Sequence, residues 1–341
     1  MVRKSVKPEV IRCAVIGYGG AFNMGKGHAN WINAAPGMET VAACDLDPVR
    51  MEAAKVDFPG IRTYTSVDAL LKDDEVELCV VILPHNVHSE VAVKCSNAGK
   101  HVVVEKPMCI TTTQATAMIE AAKKAGKMLT IFHNRRQDGD YLAIKEVINK
   151  GMIGEVFQIE ACGGGYDRPG AWWRSNKEIS GGAMYDWGAH FIDWMLNLIP
   201  SEIENVTGFF QKKVWHHVTN EDHTHAIIRF KNGASADLQI SSLARAPKPR
   251  WRILGTKGGI LEDGSVKNGF RLYTEVDGVV ISGEVRNKDT DWAAYYRNIS
   301  EHLHKGADLD VKPEEARRVI AVLEAAGKSA KSGISEKPAY P

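Results

Sequence analysis

The chain is predicted to be an α/β protein, with an N-terminal Rossmann-type doubly wound parallel sheet followed by an α+β domain built on a large, open, mostly antiparallel sheet. Three observations predict it. The first third alternates short apolar runs with helical patterns, and the later part strings β-like runs between Asn-Gly and Asp-Gly pairs. The length of 341 residues also exceeds what one hydrophobic core usually serves. The boundary is expected near residue 134, giving domains 1–134 and 135–341.

Runs at 11–17, 39–44, 78–83, 101–104 and 128–132 are short and rich in Val and Ile. Their hydrophobicity is continuous rather than alternating, as in strands covered on both faces. Helical patterns at 48–57, 86–97 and 111–125 separate them. Thr111, Thr112 and Thr113 offer N-cap hydroxyls, and Gly126 supplies a stop. Such alternation predicts right-handed βαβ units.

After about residue 134 the pattern changes. A helix at 141–150 ends in Gly151, and a strand follows at 155–162. Next comes a Gly-rich loop holding Trp172 and Trp173, and a long apolar helix from about 182 to 199. Further β-like runs lie near 206–210, 223–230, 234–241, 251–255 and 270–273. The pairs Asn232-Gly233, Asn268-Gly269 and Asp277-Gly278 punctuate them, which predicts antiparallel hairpins. Helices at 292–304 and 313–328 close the chain, and only the last dozen residues read as loosely ordered.

Composition excludes several classes. With 43 Lys+Arg against 42 Asp+Glu, the formal charge is +1, which lacks the basic footprint of a nucleic-acid binder. The longest apolar stretch, 77–84, is far short of the roughly 20 residues that span a membrane. Residues 1–7 are charged, with no apolar segment or cleavage site after them, so no secretory signal is expected. The six cysteines, at 13, 44, 79, 95, 109 and 162, contain no C-x-x-C pair. They read as neither a disulfide framework nor a zinc site, and they suit a reducing, cytoplasmic address.

Gly17-Tyr18-Gly19 follows the first strand and precedes a helix, where a phosphate-binding turn belongs. The first glycine permits the tight turn, the second admits a pyrophosphate to the backbone, and the helix N-terminus favours its charge. Phe22 occupies the third position of G-x-G-x-x-G, so the plain motif fails; with three inserted residues, Gly25 becomes the third glycine. Asp45, about 20 residues after Gly25, ends the second strand and would accept ribose hydroxyls. Its charge repels a 2′-phosphate, so NAD is expected over NADP, although Arg50 stands nearby. Glu105-Lys106-Pro107 lies at a strand's carboxyl end, where open α/β sheets bind ligands. In the helix at 181–197, Asp186, His190, Asp193 and Asn197 form one narrow stripe. No Lys, Glu or Arg accompanies them, so the stripe reads as the wall of a polar pocket rather than a solvated face. Trp172-Trp173-Arg174 would suit stacking on sugar faces, or equally an oligomer contact. His216, His217, His223 and His225 lack the partners of a metal site, so no metal is expected.

Together these residues resemble the glucose–fructose oxidoreductase / inositol dehydrogenase (Gfo/Idh/MocA) family, over nearly the whole chain. The resemblance rests on the expanded glycine turn into Gly25-Lys26-Gly27-His28 and on Leu83-Pro84-His85-Asn86-Val87-His88. Further support comes from Glu105-Lys106-Pro107, Asn134-Arg135-Arg136, Gly151-x-Ile153-Gly154 and Gly181-Gly182…Asp186-x-Gly188-x-His190. The three-residue insertion in the glycine loop is a departure from the family. The resemblance implies an NAD(P)-dependent oxidoreductase of sugars, cyclitols or related polyols, dimeric or tetrameric through its C-terminal sheet. It also implies cofactor contacts from Gly17, Gly19, Gly20, Ala21, Phe22, Asp45, Pro84, His85, His88, Glu105 and Lys106. Substrate contacts would come from Lys106, Arg135, Trp172, Trp173, Arg174, Asp186 and His190. By that resemblance His190 is the general base or acid, Lys106 polarises the substrate oxygen, and Asp186 binds substrate and orients the imidazole. A redox-neutral, NAD-dependent glycosidase is the alternative, and a non-catalytic sugar- or NAD-sensing protein ranks last because Lys106 and His190 are both present.

Overall fold

A computed structural model describes residues 10–20 and 22–340. The N-terminal sheet contains β1 (Ile11–Ile16), β2 (Met38–Cys44), β3 (Arg62–Tyr64), β4 (Leu78–Val81), β5 (His101–Val104) and β6 (Leu129–Ile131). They lie in the order β3-β2-β1-β4-β5-β6, all parallel. The order reverses between β1 and β4, and the carboxyl ends of those strands therefore open a crevice for ligands. Cys79, Val80, Val102, Val103 and Val104 are fully buried, as strands covered on both faces require. The covering helices are α1 (Met24–Ala34), α2 (Pro48–Asp57), α3 (Val67–Leu70), α4 (His88–Asn97) and α5 (Thr112–Ala125). Thr111 caps α5: its hydroxyl accepts from the Gln114 backbone at 3.2 Å, while the Gln114 side chain accepts from the Thr111 backbone at 3.1 Å. Sequence reading misses β3 and α3, because a half-buried Arg-Thr-Tyr edge strand has no apolar run to announce it.

The second part begins with α6 (Gly139–Asn149), β7 (Val156–Gly164), α7 (Lys177–Ser180) and α8 (Ala183–Leu198). It continues through β8 (Ile203–Gln211), β9 (His223–Phe230), β10 (Ser235–Ser241), β11 (Trp251–Gly255), β12 (Gly258–Glu262), β13 (Gly269–Val276) and β14 (Val279–Arg286). Helices α9 (Ala293–Lys305) and α10 (Pro313–Ser332) end it. The sheet runs β14-β13-β12-β11-β7-β10-β9-β8, antiparallel except where β7 meets β10. Alternate residues such as Ile159, Ala161, Ala226, Ile228 and Leu238 bury one face against α8 and α10, and among the described residues no helix covers the other. The hairpin signal at Asp277-Gly278 holds, with φ of 51° and 80° at the two turn residues. Strands β12 and β14 escape sequence reading because one is glycine-rich and the other is an exposed edge.

The C-terminal helices return to the first sheet. Helix α9 packs on α1 and α10 on α5, and Glu324 accepts from the backbone and hydroxyl of Thr112 at 2.9 and 2.7 Å. The expectation of a loose tail is corrected: α10 runs to Ser332, and Glu336 pairs its backbone with Val206 in both directions at 2.8 and 2.9 Å. Two backbone bonds and a partly buried Tyr340 hold the segment against the sheet.

Candidate functional site

Gly17 leaves β1 at φ 102°, and a Cβ there would lie 2.0 Å from the Ile82 carbonyl oxygen, so only glycine can make this turn. A Cβ on Gly25 would lie 2.7 Å from the Gly17 carbonyl oxygen and 2.9 Å from the Tyr18 ring. Helix α1 therefore touches the turn through Gly25, which performs the packing role of the third glycine despite the insertion. Gly19 has open space where its Cβ would stand, room that suits a pyrophosphate approaching the backbone. Gly20 lies against the Arg50 guanidinium, and Ala21 falls outside the described residues. Asp45 accepts from the backbone N–H of Tyr18 at 2.7 Å and of Asp47 at 3.0 Å, which fixes its carboxylate at the end of β2. A cleft of about 560 Å³ runs from Asp45 past Gly17, Gly19 and Gly25 to Pro84, His85, Glu105 and Lys106. Its size, glycine turn and terminal carboxylate fit a dinucleotide.

At the inner end of the cleft, Lys106 follows β5 and joins Pro107 through a cis peptide. Its ammonium donates to Asp186 Oδ1 at 2.7 Å and to the Asp186 carbonyl at 3.2 Å. Arg174 donates to the same Oδ1 at 2.8 Å. Burial pushes the Asp186 carboxyl up, but these two cations outweigh it and hold the group below the usual carboxylate range. One turn along α8, His190 is only 4% exposed, and its buried Nδ1 has no hydrogen-bond partner among the described residues. Burial above all, then Lys106, His133, Arg135 and Arg250, pushes the His190 imidazole well below its ordinary value. A neutral imidazole one turn from the aspartate that pairs with Lys106 can take a proton from a hydroxyl that the lysine polarises. His85 closes this end of the cleft: its Nδ1 donates to the Ser180 carbonyl at 2.8 Å, and burial together with His88 takes it down to about 3.

Two expectations change, those for His88 and for the second half of the α8 stripe. His88 does not face the cleft: it is fully buried, with its ring nitrogens 2.9 Å from the Pro107 carbonyl and 2.7 Å from that of Leu83. It braces the loops after β4 and β5 against each other. Trp172, Trp173 and Arg174 line the dinucleotide cleft, where Trp172 meets Phe22 edge-on at 5.5 Å and Arg174 stacks over Trp173 at 4.8 Å. The polar stripe of α8 divides: Asp193 is bound by Arg136 at 2.5 and 2.8 Å, and Asn197 donates to the Asp193 carbonyl at 2.7 Å. Its second half is thus a buried clamp, because Arg136 arrives from the loop after β6. Arg135 stands away from the Lys106 cleft, its guanidinium 4.5 Å over Trp187 and 5.3 Å from Trp292, at the edge of a polar cleft of about 450 Å³.

Sequence reasoning overlooks His133, whose ring lies 6.2 Å from that of His190, and Arg250, which stacks over Phe191 and Trp194. Nothing local marks either residue. The histidine run at 216–225 separates, with His225 bonded to Asp237 at 2.6 Å on the uncovered face of the sheet. Among the described residues, no three His, Cys, Asp or Glu side chains are grouped to hold a metal ion.

The model of an oxidoreductase family with an NAD-binding Rossmann fold matches residues 11–133, and that of the GFO/IDH/MocA C-terminal domain matches residues 141–261. The chain is 30% identical to the uncharacterised oxidoreductase YdgJ of Escherichia coli, over 94% of this chain and 96% of that one. It is 27% identical to the scyllo-inositol 2-dehydrogenase (NADP(+)) IolW of Bacillus subtilis, over 95% of each. The crystal structure of an NAD-binding protein from Listeria innocua superimposes with a TM-score of 0.82 at 28% identity, covering 96% of both chains.

Proposed function

This chain belongs to the GFO/IDH/MocA family of NAD-binding oxidoreductases, and we propose that it moves hydride between the nicotinamide and a hydroxyl-bearing carbon of a sugar, cyclitol or related polyol. The observation that carries this reading is the Lys106–Asp186 contact of 2.7 Å at the inner end of the dinucleotide cleft, with His190 one turn further on. The turn at Gly17 and Gly19 and the Asp45 carboxylate would hold the cofactor, which supplies the hydride chemistry when bound. Lys106 would hydrogen-bond the substrate oxygen and stabilise alkoxide charge as the proton leaves. His190 would take that proton in oxidation and return it in reduction. Asp186 would hold Lys106 in place and accept a neighbouring substrate hydroxyl.

Asp45 favours NAD over NADP, since a carboxylate fixed by two N–H groups repels a 2′-phosphate. The substrate class draws support from the inositol dehydrogenase relative. Net oxidation or reduction is preferred to redox-neutral cleavage, in keeping with the dehydrogenase relative. The uncovered sheet face, carrying exposed Phe209 and Tyr273, supports a homodimer or homotetramer, and six free cysteines support a cytoplasmic protein.

The test is an absorbance assay for reduced nicotinamide, with NAD and separately NADP, against aldoses, inositols, anhydrosugars and glycosides. Reduction that disappears in His190→Ala supports the reading. Glycoside consumption without net reduced nucleotide would replace it with the redox-neutral one, and absence of nucleotide binding would overturn it.

A further inference from the structure

His28 lies in α1, is fully buried, and belongs to none of the groups assigned to the chemistry above. Its Nδ1 is 2.6 Å from the hydroxyl of Tyr296 in α9, and its Nε2 is 3.1 Å from Glu105 Oε1. The other Glu105 oxygen accepts from the Lys106 backbone at 2.9 Å, and Glu105 lines the dinucleotide cleft. The polarity of the chain follows from its ends. A carboxylate oxygen can only accept, so the hydrogen on the Glu105 side sits on Nε2, and in the neutral ring Nδ1 is left to accept from Tyr296. Burial pushes the Tyr296 hydroxyl above its ordinary value, in keeping with a group that retains its proton and donates.

We propose that Tyr296 and His28 are positioning residues that hold the Glu105 carboxylate toward the bound dinucleotide, so that the last part of the chain sets cofactor affinity through a relay across three elements. This rests on the reading of the cleft as the cofactor site. The arrangement has a reason. Glu105 is a mostly buried carboxylate, with 13% of its side chain exposed, and such a group needs partners that do not compete for the ligand. His28 and the Lys106 N–H supply them from behind. Burial pushes Glu105 up, but the His28 hydrogen bond and the Lys106 charge outweigh it and hold the carboxyl below its usual range. Its charge in turn acts on three buried titratable neighbours, His133, Tyr295 and Tyr296. Without His28 the balance tips toward the protonated acid, which would offer the cofactor a hydroxyl in place of an acceptor.

Nucleotide affinity, measured by calorimetry from about pH 5.5 to 8.5, where imidazole and perturbed carboxyls titrate, tests the proposal on the whole protein. His28→Ala should weaken binding about tenfold or more, the size expected for a lost hydrogen bond to a charged group. The loss should deepen toward acid pH, where the unsupported Glu105 protonates. In a Glu105→Gln background the same substitution should cost little more, since neighbours in one network are not additive. Tyr296→Phe, a gentler change, should show a smaller loss in the same direction, and it carries the test if His28→Ala does not fold. Equal losses in both backgrounds with no pH dependence would overturn the proposal and leave His28 a packing residue, as would unchanged affinity in Tyr296→Phe and His28→Ala. Failure of the unaltered protein to bind nucleotide would instead overturn the cofactor reading.

Discussion

Lys106 and His190 do different work although Asp186 links them, paired with the lysine and one turn before the histidine on α8. The lysine is held by the Asp186 carboxylate, with Arg174 on the same oxygen, so its removal leaves Asp186 still paired. Lys106→Ala should therefore cost orders of magnitude in turnover while leaving NAD affinity nearly unchanged. A large loss of NAD binding with normal turnover at saturation would contradict the role. His190 makes a prediction about pH. Because its imidazole sits below the ordinary value, the base form persists through neutral pH, and oxidation should lose rate only below about pH 6.5. Lys106 is the leading charge behind that depression, so in Lys106→Ala the histidine should titrate at higher pH, visible by nitrogen-15 NMR of the ring. An unmoved His190 signal would show that Lys106 does not set it.

Two elements carry the site, and each can be tested by a single substitution. Helix α1 meets the glycine turn only because Gly25 has no Cβ; Gly25→Ala should push α1 from the turn, weaken NAD binding, and destabilise the fold by about 1–3 kcal/mol in denaturant titration, the usual cost of overpacking. Helix α8 is fastened at the other end of its polar stripe, where Arg136 grips Asp193 and also reaches Glu315 at 2.8 Å. Asp193→Ala removes one of the two carboxylates that hold the buried Arg136 and should cost about 1.5–3 kcal/mol, the scale of a lost hydrogen bond to a charged group. If the stripe lined a substrate pocket along its whole length, the same substitution would raise KM more than it lowers stability.

Across the molecule, the site lies where two sheets and two returning helices converge, and that burial has a pH signature. His85, His88, His133 and His190 are all pushed below the ordinary imidazole value, chiefly by burial. Each binds fewer protons folded than unfolded. Stability is thus full above the unfolded value near pH 6.5 and falls as the pH drops through it, because the unfolded chain gains protons that the native state refuses. Asp186, held below its usual range, adds a loss in the same direction at lower pH. Tm should fall steeply below about pH 6.5, and the slope should lessen when His133 is replaced by a neutral isostere such as Asn.

Local periodicity determines much of this protein. The parallel strands are legible because being covered on both faces demands unbroken apolar runs, and the hairpins because Asp-Gly turns require positive φ. The Lys106 and Asp186…His190 motifs are legible because strand ends and helical spacing place side chains within a few residues. Tertiary structure alone decides what those side chains face. Asp193 reads as a pocket wall until Arg136 arrives from the loop after β6. The chain joins His28 to Tyr296 across 268 residues, and no periodicity connects two such positions. The physical reason is the same in each case. A residue's periodicity is set by its own helix or strand, whereas the partner that satisfies a buried charge or donor comes from whichever element the packing brings alongside.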